Sequence, residues 1–219
     1  MKKEPLIVLL LLIFSNCFAQ KLAADEKVIF DQVAYTRRAP GDYEKVSKWV
    51  VPIRYQIYGD TAAYIVKEID STFASLKKLT NLDIQKTKDS DEVNFIIVLG
   101  TKETVAALTS KIDQRTTGIS GFSYKRNKAN EIYRMEQVYF TEKIKDRLTL
   151  RSSIKRNLTK SFGFFTETPL IATSLFYSKN NLKVKLDEFD SHIVSALYHP
   201  EIKSGMTKDE VNQILANGN

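Results

Sequence analysis

The apolar pattern of this chain predicts an α+β fold on a mixed, mostly antiparallel sheet. Three observations lead there: a continuous apolar run at 93–99, a strand pair spanning 119–140, and amphipathic helical patterns at 61–82 and 143–162.

Residues 49–59, WVVPIRYQIYG, are β-branched and aromatic with partial alternation, and Gly59-Asp60 ends this first strand. Over 61–82 the residues Tyr64, Ile65, Ile69, Phe73, Leu76 and Leu79 recur at three- and four-residue steps, the spacing of a helix that covers a sheet. VNFIIVL at 93–99, closed by Gly100, reads as a strand buried on both faces. Residues 119–125 and 132–140 read as a hairpin, with turn chemistry between Asn127 and Asn130, so at least part of the sheet is antiparallel. The helix at 143–162 carries Leu150, Ile154, Leu158 and Phe162 as one stripe and stops near Gly163. Residues 186–198 read as another helix. Thr207 with Glu210 three residues on forms a capping box for a last helix through Leu215.

At the N-terminus, Lys2 and Lys3 precede an apolar run from Leu6 to Phe14, then a short polar stretch and the small residue Ala19. That order is the pattern of a cleavable export signal, and the run is shorter than the roughly 20 apolar residues a membrane span needs. The expected division is a signal peptide at 1–19, an N-terminal extension at 20–47 and one domain at 48–219. The expected location is periplasmic or extracellular. Asn16 is a poor residue before a lipidated cysteine, which disfavours lipoprotein anchoring at Cys17. Cys17 is the chain's one cysteine, so its removal with the signal would exclude disulfides, thiol nucleophiles and cysteine metal sites.

Lys2, Lys3 and Glu4 supply one of the +7 formal charges, leaving +6 on the mature chain. Basic residues crowd the second half, from Arg115 to Lys160. Glu131, Glu136, Glu142 and Asp146 are interspersed and no aromatic-basic RNA-binding signature accompanies them. The expectation is a solvated basic face, with nucleic acid not the partner.

Several local words appear in a recognisable order: WVVPIRY at 49–55, LTNLDI at 79–84, VNFIIV at 93–98, LTKSFG at 158–163 and LYHPEIKSGMT at 197–207. In this order they resemble the bacterial exported domain-of-unknown-function family 2927, itself similar in plan to the metzincin branch of zinc peptidases. The resemblance covers about 48–215 and implies zincin-like helices. Metzincins carry H-E-x-x-H-x-x-G-x-x-H, with histidines one turn apart on one zinc and a glutamate activating its water. With that glycine at Gly163, Arg156 and Lys160 stand where the first two ligands belong, Asn157 where the base belongs and Thr166 where the third ligand belongs. Phe176 in SLFY at 174–177 stands where the methionine of the underlying turn would be. The resemblance therefore implies a peptidase scaffold without its zinc-binding motif.

Composition points the same way, because the chain's two histidines, His192 and His199, cannot make a three-histidine site. On one helix they would be about 10 Å apart along the axis, too far to share a metal. Ser120 in GISG lacks the spacing of a nucleophile elbow. Glu131, Glu136, Glu142 and Glu167 are the carboxylates from which glycosidic chemistry would have to draw a pair. At 100° per residue, Arg156 and Lys160 lie about 160° to either side of Leu158, on a face expected to be wet.

The sequence thus predicts an exported, non-catalytic binding protein without metal or cofactor, whose groove is lined by Arg156, Asn157, Lys160 and Thr166. The expected partner is an acidic protein, peptide or polysaccharide of the cell envelope. A non-metal hydrolase using acidic groove residues and a basic envelope structural protein are the alternatives.

Overall fold

The computed structural model describes residues 22–36, 44–109, 118–179 and 182–217. The expected signal peptide with Cys17, and Arg115 of the basic region, lie outside the described residues. No helix among the described residues is long and apolar enough to cross a membrane.

The chain begins with α1 (Ala24–Val33) and runs through the short strands β1 (Tyr35–Thr36), β2 (Lys45–Val46) and β3 (Lys48–Trp49). There follow β4 (Ile53–Gly59), α2 (Ala63–Thr80), β5 (Ile84–Lys86), β6 (Phe95–Gly100) and α3 (Lys102–Leu108). The hairpin strands β7 (Ser120–Arg126) and β8 (Glu131–Phe140) lead into α4 (Arg147–Lys160), α5 (Glu188–Leu197) and α6 (Lys208–Asn217).

The fold is α+β with a mixed six-stranded sheet of order β3-β8-β6-β4-β5, and β7 pairs with β8 at the edge. The expected antiparallel majority is corrected. β4 runs parallel to β5 and β6, and β8 runs parallel to β6 and β3, while β7 alone is antiparallel in this sheet. The reason is the connection: α2 lies between β4 and its neighbours, and a strand-helix-strand crossover brings the chain back in the same direction.

The first predicted strand is two strands. Pro52 has no N–H to give to a ladder, and Val50 and Val51 are exposed between β3 and β4. α2 ends where Asn81 adopts a left-handed conformation (φ 56°). Its buried face is Ile65, Ile69, Phe73 and Leu76. Asn127 makes the hairpin turn by accepting the N–H groups of Ala129 and Glu131, and Asn130 takes positive φ.

Because side chains alternate across a strand, Phe95, Ile97 and Leu99 of β6 and Met135 and Tyr139 of β8 share one face. That face and the stripes of α1, α2, α4 and α5 form the main core. Ile29, Phe30 and Val33 of α1 are fully buried in it, so the segment read as an extension contributes to the same core. Val98, Val138 and Phe140 face the other way, toward Val105 of α3.

Leu150, Ile154, Leu158 and Phe162 of α4 are all buried, as their spacing predicts. Trp49 pins the end of this helix by donating its indole N–H to Ser161 O at 3.0 Å. The chain then reverses at Gly163, whose φ is +118° and where a Cβ would sit 2.1 Å from Ser47 O.

Candidate functional site

On β7, Ser120 and Phe122 pair in register with Tyr139 and Gln137 of β8. They therefore point to the same side as those residues, toward α4. Between β7 and the outward face of α4 lies a groove with a cavity of about 650 Å³. Its β7 wall includes Ser120 and Phe122, with Gly118 just before the strand, and its α4 wall includes Thr149, Ser153, Arg156, Asn157 and Lys160. Lys143 and Lys145 flank the end nearer the start of α4, and Glu167 and Leu182 flank the other.

The middle of the groove is a neutral hydrogen-bonded network. Asn157 Nδ2 donates to Ser120 Oγ at 2.7 Å and to Ser153 Oγ at 3.2 Å, joining the helix to the edge strand. Behind it, Gln137 Nε2 donates to Asn157 O at 2.7 Å, and Tyr139 donates its hydroxyl to Gln137 Oε1 at 2.8 Å. Complete burial holds the Tyr139 hydroxyl far above its ordinary range, so it stays a neutral donor.

One cationic end is built around Lys160, whose Nζ lies 2.6 Å from Glu167 Oε1 and 6.0 Å from the Phe122 ring centroid. Lys160 is 6 % exposed, which corrects the expectation of a solvated face here. A buried ammonium is tolerated only with a counter-charge, and Glu167 supplies it. Burial lowers the Arg156 guanidinium from its ordinary value, while the charge of Glu167 works in the opposite direction. Arg156 also donates to Lys179 O at 3.3 Å. Beyond Phe122, Phe165 stacks on Tyr124 at 3.9 Å between ring centroids and extends an aromatic wall along β7.

Of the four site residues predicted from sequence, Arg156, Asn157 and Lys160 line this groove. Thr166 instead donates its hydroxyl to Gln32 O at 2.7 Å, fastening the loop after α4 to the end of α1. Sequence reasoning missed Ser120, Ser153, Lys143 and Lys145, which topology alone brings together. It had set Ser120 aside as a failed nucleophile. The GIS word placed a small hydroxyl residue at the start of an edge strand, and that was its one available signal.

The donors do not fit a zinc ion. Arg156 and Lys160 present protonated nitrogens without a lone pair, and among the described residues no group of three His, Cys, Asp or Glu could hold a metal. His192 Nδ1 lies 2.7 Å from Glu26 Oε1 between α5 and α1, and His199 Nδ1 accepts the N–H of Glu201. Among the described lining of the groove Glu167 is the single carboxylate. Glu131 is bonded to Asn127 and Glu136 to Arg134, and neither these two nor Glu142 is among the described residues that line the groove.

The basic crowd also divides. Arg126 donates to Thr36 and Ser47, and Arg151 and Lys155 hold Glu68, so several of these cations tie elements together.

The turn at 174–177, whose Phe176 belongs to the main core, is held by Asp190 at the start of α5. Phe176 in this turn is fully buried and packs on Phe164 at 4.9 Å between centroids. Asp190 lies one turn before Ile193 and Val194 and two before Leu197, and a carboxylate on an apolar stripe is the sequence signal that marks it.

A family model described as "Protein of unknown function (DUF2927)" matches residues 26–217. No curated protein matches the chain.

Proposed function

We infer that this chain, which belongs to the DUF2927 family, is an exported binding protein whose groove between β7 and α4 takes an acidic partner. The observation that carries the reading is the charge of the groove. Lys143, Lys145, Arg156 and Lys160 line one cavity in which, among the described residues, Glu167 is the single carboxylate. Cations converging on a concave surface favour an anionic ligand, and a wall of low dielectric strengthens their attraction.

We relate the scaffold to a metzincin-like peptidase that has lost its metal site. In support, the chain reverses at a glycine of positive φ just after α4 and then passes to a turn whose phenylalanine is buried in the core. On this reading Arg156, Asn157 and Lys160 occupy the former positions of ligand, base and ligand. Their chemistry has changed from holding a cation to holding an anion.

The test is titration of the purified protein with polyglutamate and other polyanions, comparing wild type with Lys145→Glu and Arg156→Glu. Lys145 is exposed, so its reversal leaves the fold intact. A binding groove requires each reversal to weaken capture strongly at constant salt. Diffuse association that rises and falls with salt but ignores both reversals would instead favour the envelope structural protein.

A further inference from the structure

The layout of the groove, and not only its sign, carries a ligand class. Thr149 and Lys160 both line it and both belong to α4, so the lined stretch runs about 16 Å along the helix axis. Lys143 and Lys145 stand toward one end, and Arg156 and Lys160 toward the other. Between them the lining is hydroxyl and amide: Ser120, Ser152, Ser153 and Asn157, opposite the ring of Phe122. The Lys160 end also shows what it accepts, because a carboxylate already sits there. Glu167 Oε1 is 2.6 Å from Lys160 Nζ, on a side chain 34 % exposed.

Resting on the acid-binding reading above, we propose that the groove binds a carboxylated oligosaccharide, and that Glu167 is the internal carboxylate which the ligand displaces from Lys160. The chemistry matches part by part. Sugar hydroxyls both donate and accept, as the Ser and Asn side chains in the middle do. The C–H face of a pyranose ring packs on an aromatic ring such as Phe122. Carboxylates on the sugar chain meet the cations at both ends, where charge-assisted hydrogen bonds are strongest. An acidic peptide would use the same cations but would leave the hydroxyl-lined middle with less to recognise.

Calorimetric titration with an oligo-uronic acid ladder of increasing length, its neutral methyl-ester counterparts and polyglutamate of matched charge tests the proposal. The ladder is expected to bind more tightly with each added sugar until it spans the groove, and more tightly than polyglutamate or the esters. Ser120→Ala should weaken uronate binding several-fold, and by more than it weakens polyglutamate binding. Glu167→Gln should tighten uronate binding several-fold, with thermal unfolding recorded to show that the protein remains folded. Polyglutamate binding as well as the ladder, with Ser120→Ala without effect, overturns the sugar class and leaves the acid-binding reading standing. Uronate binding that is unchanged or weaker in a folded Glu167→Gln overturns the displacement. Failure of every probe, in wild type and Glu167→Gln alike, sinks both readings.

Discussion

Ser174 donates its hydroxyl to Asp190 Oδ1 at 2.8 Å, and this buried bond joins the turn at 174–177 to the first turn of α5. The Leu175 N–H reaches both carboxylate oxygens at 3.1 and 3.0 Å, and Lys183 Nζ sits 2.6 Å from Oδ2. Burial raises the Asp190 pKa above its ordinary value, while these partners pull it down. The site therefore depends on keeping all of them. Asp190→Ala is expected to cost about 3–5 kcal/mol, because it leaves the buried Ser174 hydroxyl and Leu175 N–H without their acceptor and takes from Lys183 one of its two carboxylates, Asp187 at 2.6 Å being the other. Urea unfolding measures the loss, and a cost below about 1 kcal/mol would mean that the turn is held by Phe176 alone.

Glu68 is the corresponding charge between α2 and α4. Its carboxylate lies 2.8 Å from Arg151 Nε and 3.3 Å from Lys155 Nζ, and Lys155 is as buried as Glu68. Glu68→Gln should destabilise by about 3 kcal/mol, since Lys155 then keeps a buried charge without its counter-ion. Glu68→Met with Lys155→Met should recover most of that loss. A double-mutant cycle reads the coupling, and additive single losses would contradict a shared buried pair.

These charges show where sequence reading stops. The stripe of α4 was legible because Leu150, Ile154, Leu158 and Phe162 repeat at the helical period. The buried cations beside it were not, because Lys155 and Lys160 are buried through Glu68 and Glu167, carboxylates that no local period marks. Strand existence was equally legible at 93–99 and in the hairpin, whose Asn127 turn is local chemistry. Strand direction was misread because the hairpin, the one antiparallel pair of the main sheet, stood for the whole. The three-residue β5 also went unread. The helix between β4 and β6 already implied parallel neighbours. In the groove, one helix supplied Arg156, Asn157 and Lys160 to sequence reasoning, while Ser120 needed the register of β7 on β8 to be placed opposite them.

Gly163→Ala tests the reversal after α4. The residue has φ +118°, and an added Cβ would meet Ser47 O at 2.1 Å and a Leu197 methyl at 3.1 Å. Backbone strain and displacement of a main-chain oxygen together should cost more than about 3 kcal/mol. Ser161 and Trp49 lie next to this reversal, so the fluorescence of Trp49, the chain's one tryptophan, should shift as the 3.0 Å indole bond is disturbed. An unshifted spectrum with unchanged stability would mean that the loop adjusts freely.

Lys48 gives the chain a dependence on pH with a definite sign. Its Nζ donates to Leu197 O at 3.3 Å and lies 5.3 Å from the Tyr198 ring centroid, and the residue is 8 % exposed. Burial, reinforced by the charge of Lys203, lowers its pKa from 10.5 to about 8. Between those two values the unfolded chain binds a proton that the folded chain does not, so stability rises with pH across the window. Below about pH 8 the folded protein carries the full cost of a buried ammonium, on the order of 3 kcal/mol from the lowered pKa. Lys48→Met removes that titration, although it also leaves Leu197 O without its donor. The difference in unfolding free energy between wild type and Lys48→Met should therefore move in favour of wild type by up to about 3 kcal/mol as pH is raised from about 7 to about 10. Burial holds the Tyr55, Tyr139 and Tyr198 hydroxyls above their ordinary range, so below pH 10 these tyrosines stay neutral in the folded protein of both variants. Denaturation curves at matched ionic strength give the measurement. A pH-independent difference would show that Lys48 remains protonated throughout, with its charge stabilised by the Leu197 carbonyl and the face of Tyr198.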